Sequence, residues 1–290
     1  MFSEYTESLL VIAGINIILG FSFYFPHSAG MFSMAQGGFM AIGAFVSAGL
    51  TVKLGMPFYP ALLVGAVVAG IVGIVAGFPA LRIKGVYLLL LTLGISEVIR
   101  IFFLNFAYTG GVAGLGGIQL QTNLWNVYLA VAILVYFFHR LAPTRMGRAI
   151  AAIGEDEEAA EMMGINLTVT KLQVFGLSAA MSGLAGGFYA HYSLYIMSDN
   201  FGVAKSLEIL LPVLIGGTEV FWGAILGSFV TTFVPEWLRF IQPYRMIIFG
   251  FIVVIMMILR PQGFVDRALV RGIGLRLRSI SWRWRPGPAR

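Results

Sequence analysis

Glu97 and Arg100 stand three residues apart inside a run that is otherwise almost wholly apolar, Leu88–Leu104. On a helix this spacing puts both on one face. A lone charge at the centre of a membrane costs about 3 kcal/mol, so pairing within a bundle is their cheapest arrangement. Three roles fit: a structural ion pair, a lining or gate of a translocation path, or a proton-coupling carboxylate. A second concentration of charge is Glu155, Asp156, Glu157, Glu158 and Glu161, and a third carboxylate, Glu219, follows Gly216-Gly217. Other chemistry is excluded. There are no cysteines, and His27, His139 and His191 are too dispersed in the sequence to form a recognisable metal motif. His191-Tyr192-Ser193 has no acid nearer than Asp199, which argues against hydrolysis. A phosphate cradle ends in Gly-Lys-Ser/Thr, and none of Lys53, Lys84, Lys171 or Lys205 follows a glycine. The reading is a non-catalytic chain with no cofactor, worked either by a separate ATPase or by an ion gradient.

The elements that must position these residues are membrane helices. Of 290 residues 59% are hydrophobic and 11% charged, whereas a soluble domain carries roughly 25% charged residues to cover its surface. The expected fold is all-α, a polytopic helical membrane protein. Spanning about 30 Å of hydrocarbon takes roughly 20 apolar residues. Such runs predict seven full spans near 8–25, 30–52, 59–80, 85–104, 124–141, 168–190 and 244–260. A further apolar stretch, 207–234, is interrupted by Pro212, Gly216-Gly217 and Glu219 and reads as a broken or re-entrant hairpin or two short passes. The glycine series Gly65/Ala69/Gly73/Gly77 and Gly183/Gly186/Gly187 predict closely packed helix faces. Gln36-Gly37-Gly38-Phe39 and Glu219–Gly223 share a polar, aromatic and glycine cadence, compatible with an old internal duplication or with chance.

Charge sets the expected orientation. Eight arginines and one acid, Asp266, fall between Arg260 and Arg290, while residues 1–259 are close to neutral. This basic tail, 266–290, is expected in the cytoplasm against anionic lipid, rather than on nucleic acid. Arg140–Arg148 and the Arg82/Lys84 turn are expected on the same side. The segments 105–123 and 191–206 hold one Lys or Arg, Lys205, and are expected outside. Parity then makes 207–234 enter and leave by one face and puts the N-terminus outside. The acidic start, with Glu4 and Glu7, reads as a mature N-terminus rather than a signal peptide.

The segment 142–167, expected in the cytoplasm, is the one large polar loop of the membrane region 1–265. Within it Glu155–Met163 is expected to form a short amphipathic helix, with acids in its first turn and Gly164 as its C-cap. So short a helix needs a docking partner, either this bundle or a groove on a soluble protein. Glu158-Ala159-Ala160 followed by Gly164 resembles the EAA pattern in the cytoplasmic loop of ABC importer permeases. The wider run Gly147–Asn166 is similar to one branch, the LivM-type permease subunits of branched-chain amino acid importers. Leu81–Arg100, including Gly85, Thr92 and Gly94, resembles that family's central span, and Thr109-Gly110-Gly111 its external glycine-rich loop. Gly216–Gly223, Pro235-Glu236 and Arg260-Pro261 follow in order, so the likeness extends over about 15–265. The chain departs from the family's polar pair at Val112-Ala113.

The resemblance implies a permease in the bacterial inner membrane, assembled with a related LivH-type permease, two cytoplasmic ABC ATPase subunits and an external solute-binding protein. Branched-chain or related small amino acids would be the cargo. Glu155, Asp156, Glu158, Ala159, Ala160 and Gly164 would belong to the coupling helix on an ATPase. Gln36, Thr92, Glu97, Arg100 and Glu219 are candidates for the translocation path, and Thr109, Gly110 and Gly111 for the external loop. The alternative is a secondary transporter or channel for a small polar solute such as urea or a short amide.

Overall fold

A computed structural model describes residues 4–83, 85–241, 244–260 and 263–264; the basic tail 266–290 and Lys84 lie outside the described residues. The described chain is helical, with one isolated antiparallel bridge, Leu115 to Ile196. Its main helices are α1 Glu4–Ser28, α2 Gln36–Leu54, α3 Phe58–Ala80, α4 Val86–Asn105, α5 Leu124–Leu141, α6 Arg145–Glu155, α7 Glu157–Met162, α8 Leu167–Ser193, α9 Val203–Gly216, α10 Phe221–Trp237 and α11 Arg245–Leu259. Short 3-10 turns lie at Ala107–Thr109, Gly111–Ala113, Ser198–Phe201 and Leu238–Ile241.

Each of the seven expected runs contains a helix. By length and apolarity five of them, α1 to α5, qualify as membrane-crossing, and six if the bent pair α9/α10 counts as one span. The count of seven full spans is therefore not reproduced on these measures. The helix α8 has 27 residues but is rich in Gly, Ala and Ser, and α11 has only 15. The chain turns through 115° between α9 and α10, at Gly217, whose φ of +112° is a backbone state that favours glycine. The hairpin tip sits beside the end of α1, where Thr218 and Glu219 line one cavity with Ser28. The far end of α10 returns to the start of α1, where the Arg239 guanidinium donates to the Tyr5 hydroxyl. The two helices thus form a hairpin whose tip and far end lie at opposite ends of α1.

The second expected span, 30–52, is corrected in its first turns. Gly30 takes φ +72°, the chain runs without helical structure from 31 to 35, and α2 starts only at Gln36. Irregular backbone at membrane depth survives only where protein or a cavity supplies its partners. Here the Met34 N–H donates to Thr92 Oγ1 at 3.0 Å, and the Ala35 N–H to Ser33 Oγ.

The centre of the bundle is α8, wrapped by α1, α2 and α3. Lipid gives no hydrophobic drive for helix association, so close van der Waals approach must supply it. The expected small-residue faces meet here. A Cβ at Gly43 would overlap the Gly183 carbonyl, and one at Gly183 would lie 2.5 Å from Ala69 Cβ. On the other side of α1 an aromatic node joins α5 and the hairpin: Phe21 and Phe138 are 5.2 Å apart, Phe138 and Phe221 6.0 Å. By contrast α4 leaves Tyr87, Leu90, Val98 and Phe102 exposed. It is tied down by Arg100, which meets Glu97 at 2.5 Å and Asp199, in the turn before α9, at 2.5 Å.

Four outcomes follow for stability, measured as thermal unfolding in detergent. Gly43→Ala should destabilise by about 1–3 kcal/mol through overpacking. Gly94→Ala, with nothing within 4 Å of its Cβ, should be neutral or stabilise by up to about 1 kcal/mol. Arg100→Glu should lower the melting point more than Glu97→Arg, because it gathers three carboxylates. The double exchange should restore stability only in part, since Asp199 then faces the new acid; full recovery would contradict the three-way arrangement.

Candidate functional site

The polar loop is built from its caps. Thr144 Oγ1 accepts from the Gly147 N–H at 3.1 Å and starts α6. Met146, Ile150 and Ile153 then recur at helical spacing; Ile150 and Ile153 are buried, and Gly154 is packed against the Ser28 carbonyl at the end of α1. The single helix expected over Glu155–Met163 is in fact broken. Glu155 ends α6, Asp156 is extended at φ −153°, and its Oδ1 accepts from the Glu158 and Ala159 N–H groups at 3.0 and 3.1 Å. Asp156 is therefore the N-cap of α7, the commonest use of an Asp in that position. Met163 is the C-cap, and Gly164, expected in that place, follows it at φ +83°, with its N–H and that of Ile165 donating to the Glu161 and Ala160 carbonyls.

Only Ala160 of α7 is buried. Ala149, Ala152 and Ala159 line a groove of about 550 Å³ between α6 and α7, with Arg145 and Arg148 at its edge. Met162 and Met163 are 82% and 84% exposed, a soft apolar pair of the kind used at adaptable binding surfaces. The loop is fastened to the bundle by a residue the motif does not mark. Lys171, in the first turns of α8 and only 8% exposed, meets Glu157 at 2.8 Å. A buried lysine one turn after the Asn166 cap, with acids just upstream, is the signal that points to it.

The structure divides the other candidates among three places. At the loop face Glu155 and Glu219, 64 positions apart, line one cavity of about 340 Å³ with Tyr24, His27 and Phe221. In the interior Thr92 supports the irregular segment before α2, and Gln36 is 1% exposed, its carbonyl accepting from Ser182 Oγ at 2.6 Å. Ser206 joins them: its hydroxyl accepts from the Gly37 N–H at 3.3 Å and lies 3.2 Å from Ser96 Oγ. Glu97 and Arg100 are paired, as one of the three sequence readings has it, and half-buried. Glu219 is not with them; it belongs to the opposite end of the bundle.

At the Arg100 end of the bundle the glycine-rich loop, which follows α4 directly, is held by its own backbone geometry. Thr109 is buried and donates its hydroxyl to the Phe106 carbonyl at 2.9 Å, Gly110 has φ +86°, and Leu115 pairs with Ile196. Lys53 Nζ donates to the Tyr108 carbonyl, and the Tyr195 hydroxyl to that of Ala113. Val112, where the departure from the polar pair occurs, is 74% exposed. No group of three or more potential metal ligands exists among the described residues.

This architecture has relatives. The high-affinity branched-chain amino acid transport system permease protein LivM of Salmonella typhimurium is 32% identical over 87% of this chain and 66% of its own length. The Escherichia coli protein of the same name is 31% identical over the same shares. The chain thus spans about two thirds of the length of these relatives. The ribose import permease protein RbsC of Haemophilus influenzae is 25% identical over 77% of this chain and 72% of its own. No solved structure matches the chain. Residues 5–259 match the family described as branched-chain amino acid transport system / permease component, and with nearly all of its helical bundle inside that match, the chain is a member of this permease family.

Proposed function

We propose that this protein is a membrane-spanning permease subunit of an ATP-driven importer, passing branched-chain or related small amino acids inward. The observation that carries the reading, beyond family membership, is α7: a capped six-residue helix that buries one side chain and turns two methionines outward. Such a helix is stabilised by a partner rather than by its own length. The partner is a cytoplasmic ATPase of the ABC class, one of two, with Glu155, Asp156, Glu158, Ala159, Ala160 and Gly164 forming or framing the seat. Asp156 and Gly164 set the helix ends, and Ala159 and Ala160 shape the groove. A second permease of LivH type completes the pathway, and an external binding protein delivers the solute to the face carrying Thr109, Gly110 and Gly111.

In this arrangement the N-terminus of α1 faces outward and the loop of α6 and α7 faces the cytoplasm of a bacterial cell. The Arg-rich tail lies on anionic lipid. The path runs past Gln36 and Thr92, with Glu97 and Arg100 near its outer end and Glu219 near its inner end. ATP-driven closure of the ATPase pair moves α7 and biases the permease between outward- and inward-open states. Through Glu157 and Lys171 that movement reaches α8, and through Gly154 and Ser28 it reaches α1.

Three measurements test this. Gly164→Pro, Glu158→Lys and the pair Met162→Asp/Met163→Asp should each weaken capture of the cognate ATPase at least tenfold; equal capture by all three removes the docking role. Glu157→Lys and Lys171→Glu should each lower the solute moved per ATP hydrolysed, and the double exchange should recover it with a coupling of about 1–3 kcal/mol. In energised cells depleted of ATP with the proton gradient held, leucine uptake should stop. Continued uptake would instead favour an ion-coupled carrier or channel.

A further inference from the structure

Gln36 is buried to 1%, and neither its amide nitrogen nor its amide oxygen has a hydrogen-bond partner among the described residues. Buried polar groups are normally satisfied, and an exception needs a reason. This one stands on the first turn of α2, a 19-residue helix whose N-cap, Ala35, offers no side-chain acceptor. Side chains on a helix lean toward its N-terminus, which directs the orphan amide toward the N–H groups of that turn; of these, the Gly37 N–H is held by a serine hydroxyl and the Phe39 N–H by the Ala35 carbonyl. Those N–H groups and the helix dipole favour a carboxylate.

The surroundings are polar and small. The Gly37 N–H is held by Ser206 Oγ, itself 3.2 Å from Ser96 Oγ. A Cβ on Gly37 would lie 3.1 and 3.2 Å from the Phe201 and Gly202 carbonyls, and one on Gly38 2.8 Å from Ser96 Cα. The start of α9 thus closes over the start of α2, and the serine oxygen, accepting from the Gly37 N–H, occupies the place that a ligand oxygen would take. Ser182 of α8 donates to the backbone carbonyl of Gln36 and leaves its side-chain amide free.

We infer that Gln36 and the N-terminal turn of α2 form a station that reads the head group of a zwitterionic amino acid when α9 moves away. The amide nitrogen and the helix N–H groups take the α-carboxylate, and the amide oxygen takes the α-ammonium. The side chain of the solute is not read there, so neutral amino acids of different shape share the station. This rests on the transport reading above and adds to it the part of the solute that is recognised and the residues that recognise it.

The test uses the full permease–ATPase assembly. Uptake of leucine from loaded binding protein into proteoliposomes is measured for wild type, Gln36→Leu and Gln36→Asn. Thermal unfolding of each detergent-solubilised assembly is followed with leucine, leucinol, which lacks the carboxylate, and 4-methylpentanoate, which lacks the ammonium group. Gln36→Leu, a near-isostere without the orphan amide, should melt at or above the wild-type temperature while uptake falls at least tenfold; Gln36→Asn should retain part of the uptake. Leucine alone should raise the melting point of wild type, and it should not raise that of Gln36→Leu. The station is refuted if Gln36→Leu transports within twofold of wild type, or if it melts lower and loses uptake only in proportion to lost assembly. It is equally refuted if leucinol shifts wild type as leucine does. Should wild type show no ATP-dependent uptake, the transport reading fails, while the three-ligand melting comparison still decides the head-group site.

Discussion

Hydrocarbon offers no partner to a backbone N–H or carbonyl, and the structure is organised around the places where this protein nonetheless interrupts its helices. There are two. Before α2 the chain runs unwound from 31 to 35, and Thr92 and Ser33 supply what the helix does not. Between α9 and α10 the tip at Gly217–Val220 is sheltered by α1, α5 and α6. Each interruption brings an otherwise costly polar residue with it, Gln36 at the first and Glu219 at the second. The interior and the loop face thus each receive a polar position on irregular backbone, which in membrane proteins is where solutes and ions are handled.

The helix α8 relates these positions to the loop. Lys171 near its start meets Glu157 of the exposed α7, Ser178 donates to the Ser22 carbonyl of α1, and Ser182 to that of Gln36. Farther on, the buried His191 contacts Thr51 at 3.1 Å, near the end of α2. Glycines keep α8 in backbone contact with α2 and α3 along this length. Packing this close leaves α8 little room to shift independently of α1 and α2.

Much of this was legible in the residues. Hydropathy located every long helix, and the Pro212/Gly216-Gly217 interruption located the hairpin, because composition alone limits where a helix can cross lipid. The pairing of Glu97 with Arg100 followed from spacing and the cost of a lone charge. What the sequence hid was set by distant partners. Asp199 joins Arg100 from 99 positions away. The delayed start of α2 depends on the Thr92 hydroxyl, and apolar periodicity does not register it. The break at Asp156 is not legible in the sequence, because the acids at 155–158 suit a first turn equally well at either register, and the side-chain hydrogen bonds of Asp156 decide it. Glu155 and Glu219 share a cavity only because α6 folds back on the end of α1.

The composition of α8 carries a consequence for how the protein is made. A segment dominated by Gly, Ala and Ser, with Lys171 near one end, partitions weakly from the translocon into lipid on its own. The three helices that wrap it, α1, α2 and α3, are all synthesised earlier and are more apolar. The ribosome thus delivers the cradle before its occupant, and retention of α8 in the bilayer becomes a matter of recruitment by waiting neighbours. Biogenesis is built into chain order: the most central helix is held by protein surfaces rather than by fat.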